Sequence, residues 1–272
     1  MDINMKAISK KNNFNLIIGS IITGMVILIV LIGIIHTPYD PNKMNAALKN
    51  IGPSLLHPFG TDNFGRDILS RVMDGAGTTF FIALATVTIG VFFGTLLGAV
   101  TGYFGGWVDE ILMRLNDGLT SFPSILLALV FVSIMGAGTY NIVFALGIIF
   151  IPSFARVVRS EFILLKEMDF VKNAKLMGAG NLRIMFAHIL PNTMPILLPA
   201  IMIGFNNAVL AEAGMSYLGL GVQPPNASLG RMLSEAQSFL FSSPWYAITT
   251  GFMIVFTVLG VSLLSGGIAN EK

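Results

Sequence analysis

Apolar residues fall in six long blocks along the chain, not at the periods of a soluble core. The first block, residues 16–35, holds twenty residues without a charge. At 1.5 Å rise per residue, this length matches the ~30 Å hydrocarbon core of a bilayer. The other blocks cover approximately residues 79–102, 119–135, 140–155, 193–211 and 245–264. The pattern predicts an all-α integral membrane protein with about six transmembrane helices.

The first block resembles a signal peptide because Lys6, Lys10 and Lys11 precede it. A cleavable segment, however, has only about 7 to 15 apolar residues and ends in a small-residue site, which residues 36–39 do not provide. We therefore predict an uncleaved first span. Residues 1–75 would hold a cytoplasmic tail, this span and an extracellular amphipathic segment. Residues 76–266 would form the transmembrane core, and residues 267–272 a C-terminal tail.

Composition supports the membrane class. Apolar residues make up 54% of the chain and charged residues 11%, whereas a soluble domain has about 25% charged residues. Cysteine is absent, which excludes disulfides, thiol nucleophiles and cysteine metal sites. His36, His57 and His188 lie far apart in the sequence, so we predict no metal site and no cofactor bound by this chain.

The distribution of lysine and arginine predicts the orientation, because these residues accumulate in short cytoplasmic loops. With six spans, eleven of the sixteen basic residues share the face that holds both termini. They are Lys6, Lys10, Lys11, Arg114, Arg156, Arg159, Lys166, Lys172, Lys175, Arg183 and Lys272. We therefore predict a multi-pass protein of the cell membrane with both termini in the cytoplasm. This topology accounts for the net charge of +2, and no nucleic-acid motif is present to suggest such a partner.

The predicted spans lack the ionisable groups that ion-coupled transporters use. As drawn, none of them contains Asp, Glu, Lys or Arg, although ion-coupled transporters usually place an ionisable residue at membrane depth. No phosphate-binding Gly-x-x-x-x-Gly-Lys-Ser/Thr loop occurs either. We predict that the chain is not an enzyme and that any ATP and Mg are used by partner subunits. A secondary transporter or channel subunit not driven by ATP is the alternative.

The basic segment 156–190 contains helix signals of its own. Asp169 is a plausible N-cap, residues 170–177 could form a short helix, and Gly178 suits the left-handed C-cap position. Asn181 could cap a second helix that stops before Pro191.

One face of the short helix is apolar, with Phe170, Val171, Ala174 and Met177 at helical spacing. Two interpretations follow. The segment is a solvated loop that obeys the positive-inside rule, or it is a docking helix that fits a cleft on a partner.

The stretch DFVKNAKLMGAGNLRIMFAHILPN resembles the cytoplasmic signature loop of ABC importer permeases, whose pattern is Glu-Ala-Ala, three residues, Gly, nine residues, Ile-x-Leu-Pro. Ala174, Gly178, Leu190 and Pro191 match that pattern at the full spacing. The acidic first position is Lys172, and the first Ala and the Ile are also replaced. The resemblance implies that segment 156–190 couples the permease to an ATPase.

Two further segments are similar to motifs of the dipeptide, oligopeptide and nickel branch of these permeases: HPFGTDNFGRDILSRV at residues 57–72 and AEAGMSYLGLGVQPPNASLG at residues 211–230. Leu229 stands where a Trp is common. The resemblance implies a type I ABC importer permease fold and half of a translocation path for peptides, nickel or a chelated metal. It also implies a second homologous permease, two ATPase subunits and an extracellular solute-binding protein as partners, all within membrane lipid.

Three other sets of residues have candidate roles. Ile68, Leu69 and Val72 predict an amphipathic helix at the outer surface or over the partner permease. A strip of small residues at every fourth position of the second span predicts close helix packing; it consists of Gly90, Gly94, Gly98 and Gly102. Polar and flexible residues in and just past the fifth span could line the path or only bond neighbouring helices; they are Asn206, Asn207, Glu212 and Met215.

Overall fold

The computed structural model describes residues 2–269, with side chains from residue 14 onward. Helices dominate this part of the chain, in the order α1 Asp2–Ile35, α2 Ile68–Phe104, α3 Gly106–Thr120, α4 Ser124–Met135, α5 Thr139–Leu165, α6 Asp169–Leu176, α7 Asn181–Arg183, a π-helical turn Ile184–Ile189, α8 Leu190–Tyr217, α9 Leu229–Gln237 and α10 Pro244–Ala269. Five helices are long and apolar enough to cross a membrane, and the bent pair α3 and α4 raises the number to six. The all-α membrane fold is confirmed.

Small residues bring the principal helices into close contact. A Cβ atom on Gly94 would lie 2.6 Å from the Phe154 Cβ, and one on Gly98 would lie 2.5 Å from the Ala155 carbonyl oxygen. Gly90 and Gly102 face α5 in the same way. The strip of α2 therefore packs against α5 with no room for side chains, and this pair forms the centre of the structure. α1 runs beside α10, and α8 packs against α2, α5 and α10.

The amphipathic segment near residue 68 is not a separate surface helix. It forms the first turns of α2, which begins at Ile68 and continues through the boundary that we placed after residue 75. Ile68 and Val72 are buried. Asp67 caps the helix by accepting hydrogen bonds from the Ser70 backbone N–H at 2.8 Å and from its hydroxyl at 2.7 Å. The apolar side chains of this turn therefore pack within the chain itself.

A cluster of charged side chains and one tyrosine, the ionic cluster, joins this end of α2 to α9 and α10. It consists of Asp62, Arg66, Arg71, Glu235 and Tyr246. Arg66 Nε lies 2.6 Å from Asp62 Oδ2, and the Glu235 carboxylate lies 2.8 Å from Arg66 and 3.3 Å from Arg71. The Tyr246 hydroxyl donates to Glu235 at 3.0 Å. Asp62, Arg66 and Arg71 are buried, so the motif at residues 57–72 supplies a charged core for the loops at this end of α2.

The third span is shorter than predicted. A break at residues 121–123 separates α3 from α4, and the two helices meet at 86°. Pro123 explains the break, because proline has no N–H to donate and disfavours helical geometry in the preceding residue. The 12 residues of α4 extend about 18 Å, which is less than the hydrocarbon thickness.

Both sides of the basic segment are helical. α5 continues past residue 155 to Leu165, and α7 runs through the π-helical turn into α8 instead of stopping before Pro191. Proline cannot donate to the carbonyl four residues earlier and its ring crowds that carbonyl, which the wider π turn relieves. The irregular part of segment 156–190 is therefore confined to short stretches on either side of α6.

Candidate functional site

The short helix α6 is placed as the sequence predicts, but its ends differ. Its N-cap is Met168, and Asp169 is the first helical residue. Asp169 makes no capping bond and instead lies 3.6 Å from Lys172, with both side chains mostly exposed. An exposed ion pair of this kind contributes about 0 to 1 kcal/mol, so it orients the helix weakly.

The C-terminal end of α6 is a Schellman motif. The Ala179 N–H donates to the Ala174 carbonyl at 3.0 Å, and the Gly178 N–H donates to the Lys175 carbonyl at 3.0 Å. Gly178 has a φ of +79°, in the region where a residue with a Cβ is strained. This glycine therefore fixes the direction in which the chain leaves α6.

The apolar face of α6 is divided between the chain itself and its surroundings. Val171 is fully buried, and Ala174 packs partly buried against the main core. Phe170 is 39% exposed and Met177 88% exposed. Leu176, which stands at one of the unspecified positions of the signature pattern, is 85% exposed. We call Leu176 and Met177 the exposed tip of α6.

Leu190 and Pro191, the last residues of the signature pattern, are not in this tip. They begin α8, where Leu190 packs against the main core and Pro191 is exposed. Because they directly follow the π-helical turn, they help to set how the backbone runs from α6 into α8.

Three contacts tie α6 and its flanks to the end of α2. The Tyr103 hydroxyl donates to Asn181 Oδ1 at 3.0 Å, and Lys175 Nζ lies 5.6 Å from the centre of the Tyr103 ring. Lys166 Nζ donates to the Gly102 carbonyl at 3.1 Å. The exposed tip of α6 is therefore braced by the same helix whose glycine strip packs against α5.

Ion pairs fasten α3 to α5 on the same side. Asp109 forms a two-pronged pair with Arg159, with N–O distances of 2.5 Å, and Asp117 lies 2.9 Å from Arg156. These contacts explain why α5 remains helical through two arginines, since each cation finds an anionic partner.

Glu212 lies inside α8, one residue beyond the predicted end of the fifth span, and α8 continues to Tyr217. Its side chain is fully buried. The Thr79 hydroxyl donates to its carboxylate at 2.8 Å, and the Ser216 hydroxyl donates at 2.6 Å. Thr79 in turn accepts a hydrogen bond from the Leu229 N–H at 3.1 Å. Glu212 therefore bonds α8 to α2 and to the start of α9, and in this structure it faces no open path.

The other predicted path residues do not share one environment. Met215 is fully buried, and Asn206 is 8% exposed. Asn207 is exposed and lines a cavity of about 420 Å³ between α4, α5 and α8. Ser124 and Ser153, which belong to none of the sequence motifs, supply further hydroxyl groups to this cavity. Uncharged hydrogen-bonding groups thus sit among apolar residues there, and no signal in the linear sequence brings these two serines together with Asn207.

Among the residues that the structure describes, no group of three or more His, Cys, Asp or Glu could hold a metal ion. The geometry is that of a membrane-embedded helical body with an exposed apolar tip at one end and, between its helices, a largely apolar cavity that contains three uncharged polar side chains.

Comparisons with known proteins match this architecture. Residues 94–269 match the family profile of the binding-protein-dependent transport system inner membrane component. The dipeptide transport system permease protein DppC of Alkalihalophilus pseudofirmus is 40% identical over 260 residues, which cover 96% of this chain and 86% of that protein. The glutathione transport system permease protein GsiD of Pectobacterium atrosepticum is 40% identical over 234 residues, covering 86% and 78%.

A solved structure shows the same fold. An inward-facing form of the MetNI methionine ABC transporter aligns with a TM-score of 0.60 at 17% identity, covering 71% of this chain and 92% of that chain. This confirms the type I importer permease fold, and the sequence matches confirm the family drawn from the signature segment. The chain is a multi-pass membrane protein that belongs to the binding-protein-dependent inner membrane components, the permease subunits of ABC importers of the peptide and glutathione type.

Proposed function

We propose that this chain forms half of the translocation path of an importer for small peptides, paired with a second homologous permease and driven by two ATPase subunits. An extracellular binding protein would deliver the substrate. The observation that carries the proposal is the exposed tip of α6, where two large apolar side chains project from a helix that the rest of the chain holds in place. An apolar tip of this kind buries its surface when a partner covers it.

Peptides are the proposed substrate because two relatives, which cover 96% and 86% of this chain, are named for dipeptide and glutathione transport. The cavity beside Asn207 fits such a cargo. Ser124, Ser153 and Asn207 offer hydrogen bonds without charge, and the apolar residues around them tolerate varied side chains. Nickel and chelated metals, which the sequence resemblance also implied, have no corresponding support from these relatives.

The proposed mechanism is alternating access. When ATP binding closes the ATPase pair, α6 follows the groove that holds its exposed tip. Motion of α6 reaches α2 through Tyr103, and it reaches α5 through the glycine strip. The paired permeases then reorient around the central path, and the chain itself performs no covalent chemistry.

The tip of α6 gives a direct test of coupling. We expect the double variant Leu176→Asp, Met177→Asp to lose at least about tenfold in binding-protein-dependent dipeptide uptake, because an unpaired carboxylate in an apolar contact costs several kcal/mol. The permease should still reach the membrane, since both side chains are exposed within the chain. Uptake and ATPase activity would be measured on the complex reconstituted in vesicles with its binding protein.

The matched control is Lys172→Glu, which adds negative charge to the same helix at a side chain that is 58% exposed; uptake should stay within about twofold, as expected of a weak surface pair. Ala174→Trp is a poorer test, because Ala174 packs against the chain's own core and a bulky residue would also disturb folding. Normal uptake by the double variant would show that α6 is a solvated connector.

Orientation is a second expectation. We predict that α6 is cytoplasmic and that the segment between α8 and α9 is extracellular, because eleven of the sixteen basic residues share one face. In this cysteine-free chain, Lys175→Cys and Asn226→Cys place single thiols at exposed positions on the two sides. An impermeant maleimide applied to intact cells should label position 226 and not 175. The nearby Ser228 would be an unsuitable position for the thiol, because its side chain is buried and caps α9. The reverse labelling pattern would overturn the orientation.

A further inference from the structure

A second cavity, also of about 420 Å³, opens between α1, α2, α5 and the loop before α9. Ile34, Met73 and Phe81 supply the apolar part of its wall. The polar lining residues are Asp74, Thr78, Thr139, Tyr140 and Asn226. Gly77 keeps the space beside Asp74 open, since a Cβ there would meet only Ile34 at 3.8 Å. A cavity of this size is within the range of small-molecule sites, about 300 to 1,000 Å³.

Asp74 gives this cavity its charge. Its side chain is half-buried, and among the residues whose side chains the structure describes it has no ion pair and no side-chain hydrogen bond. Arg71, one helical turn earlier, attracts it electrostatically. The Arg71 guanidinium, however, is occupied by Glu235 at 3.3 Å and by the Pro41 carbonyl at 3.2 Å. A partly buried carboxylate without a partner is unfavourable, so the cavity is suited to a cationic ligand.

The chemistry of the lining narrows the class of cation. Only one carboxylate is present in the lining, whereas a hard divalent cation usually takes several oxygen ligands with more than one anionic group. A primary ammonium carries one charge and three N–H donors, which Asp74 and the neighbouring hydroxyl and amide oxygens can accept. Tyr140, 70% exposed at the rim, offers a ring face that attracts cations.

We propose that the Asp74 cavity binds a primary ammonium group. Two sources carry this group at the outer side of a membrane. One is the headgroup of phosphatidylethanolamine, since Asp74 precedes by about five residues the uncharged apolar block of α2 that begins at residue 79. The other is the free amino terminus of a peptide, and this source rests on the proposed transport function.

The test uses the intact complex in nanodiscs. For the lipid source, complexes are equilibrated with equal amounts of phosphatidylethanolamine and phosphatidylcholine, whose ammonium is quaternary, and retained lipids are counted by native mass spectrometry. For the peptide source, binding of a labelled dipeptide and of its N-acetylated form is measured in discs that contain phosphatidylcholine alone. Wild type should prefer the primary ammonium form of at least one probe. Asp74→Asn should reduce that preference about tenfold, equivalent to about 1.4 kcal/mol.

Asp74→Glu keeps the charge and should retain the preference. Gly77→Leu fills the cavity without changing the charge and should lose it, which provides a second route if Asp74→Asn does not assemble. Loss with the lipid alone identifies the headgroup as ligand, and loss with the dipeptide alone identifies the peptide. The lipid experiment requires no transport, so it stands even if the proposed substrate is wrong. Unchanged preference for both probes in Asp74→Asn and Gly77→Leu would overturn the proposal.

Discussion

Replacing Glu235 by alanine is expected to destabilise the protein by about 3 to 5 kcal/mol, because removal of one partner from a buried ion pair leaves the opposite charge uncompensated. Glu235 accepts from Arg66, Arg71 and Tyr246, and both arginines are almost completely buried. Asp62 alone cannot neutralise two guanidinium groups. The ends of α2, α9 and α10 that meet at this cluster should therefore separate at a lower temperature, which thermal unfolding of the purified complex in detergent would measure.

Glu110 provides the matched control for this variant. It pairs with Arg114 at 3.0 Å at the same i, i+4 spacing that links Arg231 and Glu235. The Glu110 and Arg114 side chains, however, are 63% and 79% exposed. Glu110→Ala should change stability by no more than about 1 kcal/mol. Equal effects of the two substitutions would show that the ionic cluster does not hold these helices together.

Gly98→Ala is expected to destabilise the packing of α2 against α5 by about 1 to 3 kcal/mol through overpacking. The new methyl group would lie 2.5 Å from the Ala155 carbonyl oxygen and 2.8 Å from the Val158 Cβ. The first of these atoms is backbone and cannot move without shifting α5. Because α2 and α5 also connect α6 to the cavity beside Asn207, we expect reduced uptake as well as a lower unfolding temperature.

Gly77→Ala on the same helix makes the same chemical change where the contact is ordinary, 3.8 Å from Ile34. There the gain in helix propensity, up to about 1 kcal/mol, should dominate and the protein should be unchanged or more stable. The two variants therefore have opposite expected signs. A stabilising Gly98→Ala would mean that the two helices are farther apart than the structure places them.

The signature segment shows which features of a helix can be predicted from neighbouring residues alone. The left-handed Gly178 and the helix of about eight residues before it follow from capping rules that involve only near neighbours. Capping rules do not predict which side of that helix packs against the chain and which side is exposed. Val171 and Leu176 are both apolar, yet one is fully buried and the other is 85% exposed, and only contacts with distant parts of the chain decide between them.

The same limit applies to the membrane spans. Charged residues made α5 and α8 look shorter than they are, because the sequence does not reveal which charges have partners. α5 extends through Arg159 because this side chain pairs with Asp109. α8 extends through Glu212 because its carboxylate accepts hydrogen bonds from Thr79 and Ser216.

The sequence by itself determined the membrane class, the number of apolar blocks, the spacing of the glycine strip and the family, because hydrophobic length and motif spacing are properties of neighbouring residues. Tertiary structure decided where the helices end, that Glu212 is enclosed while Asn207 faces a cavity, and that Asp74 has no partner among the side chains that the structure describes. These features depend on which distant groups meet, since a charge or polar group is stable at depth only where another part of the chain, or a ligand, satisfies it.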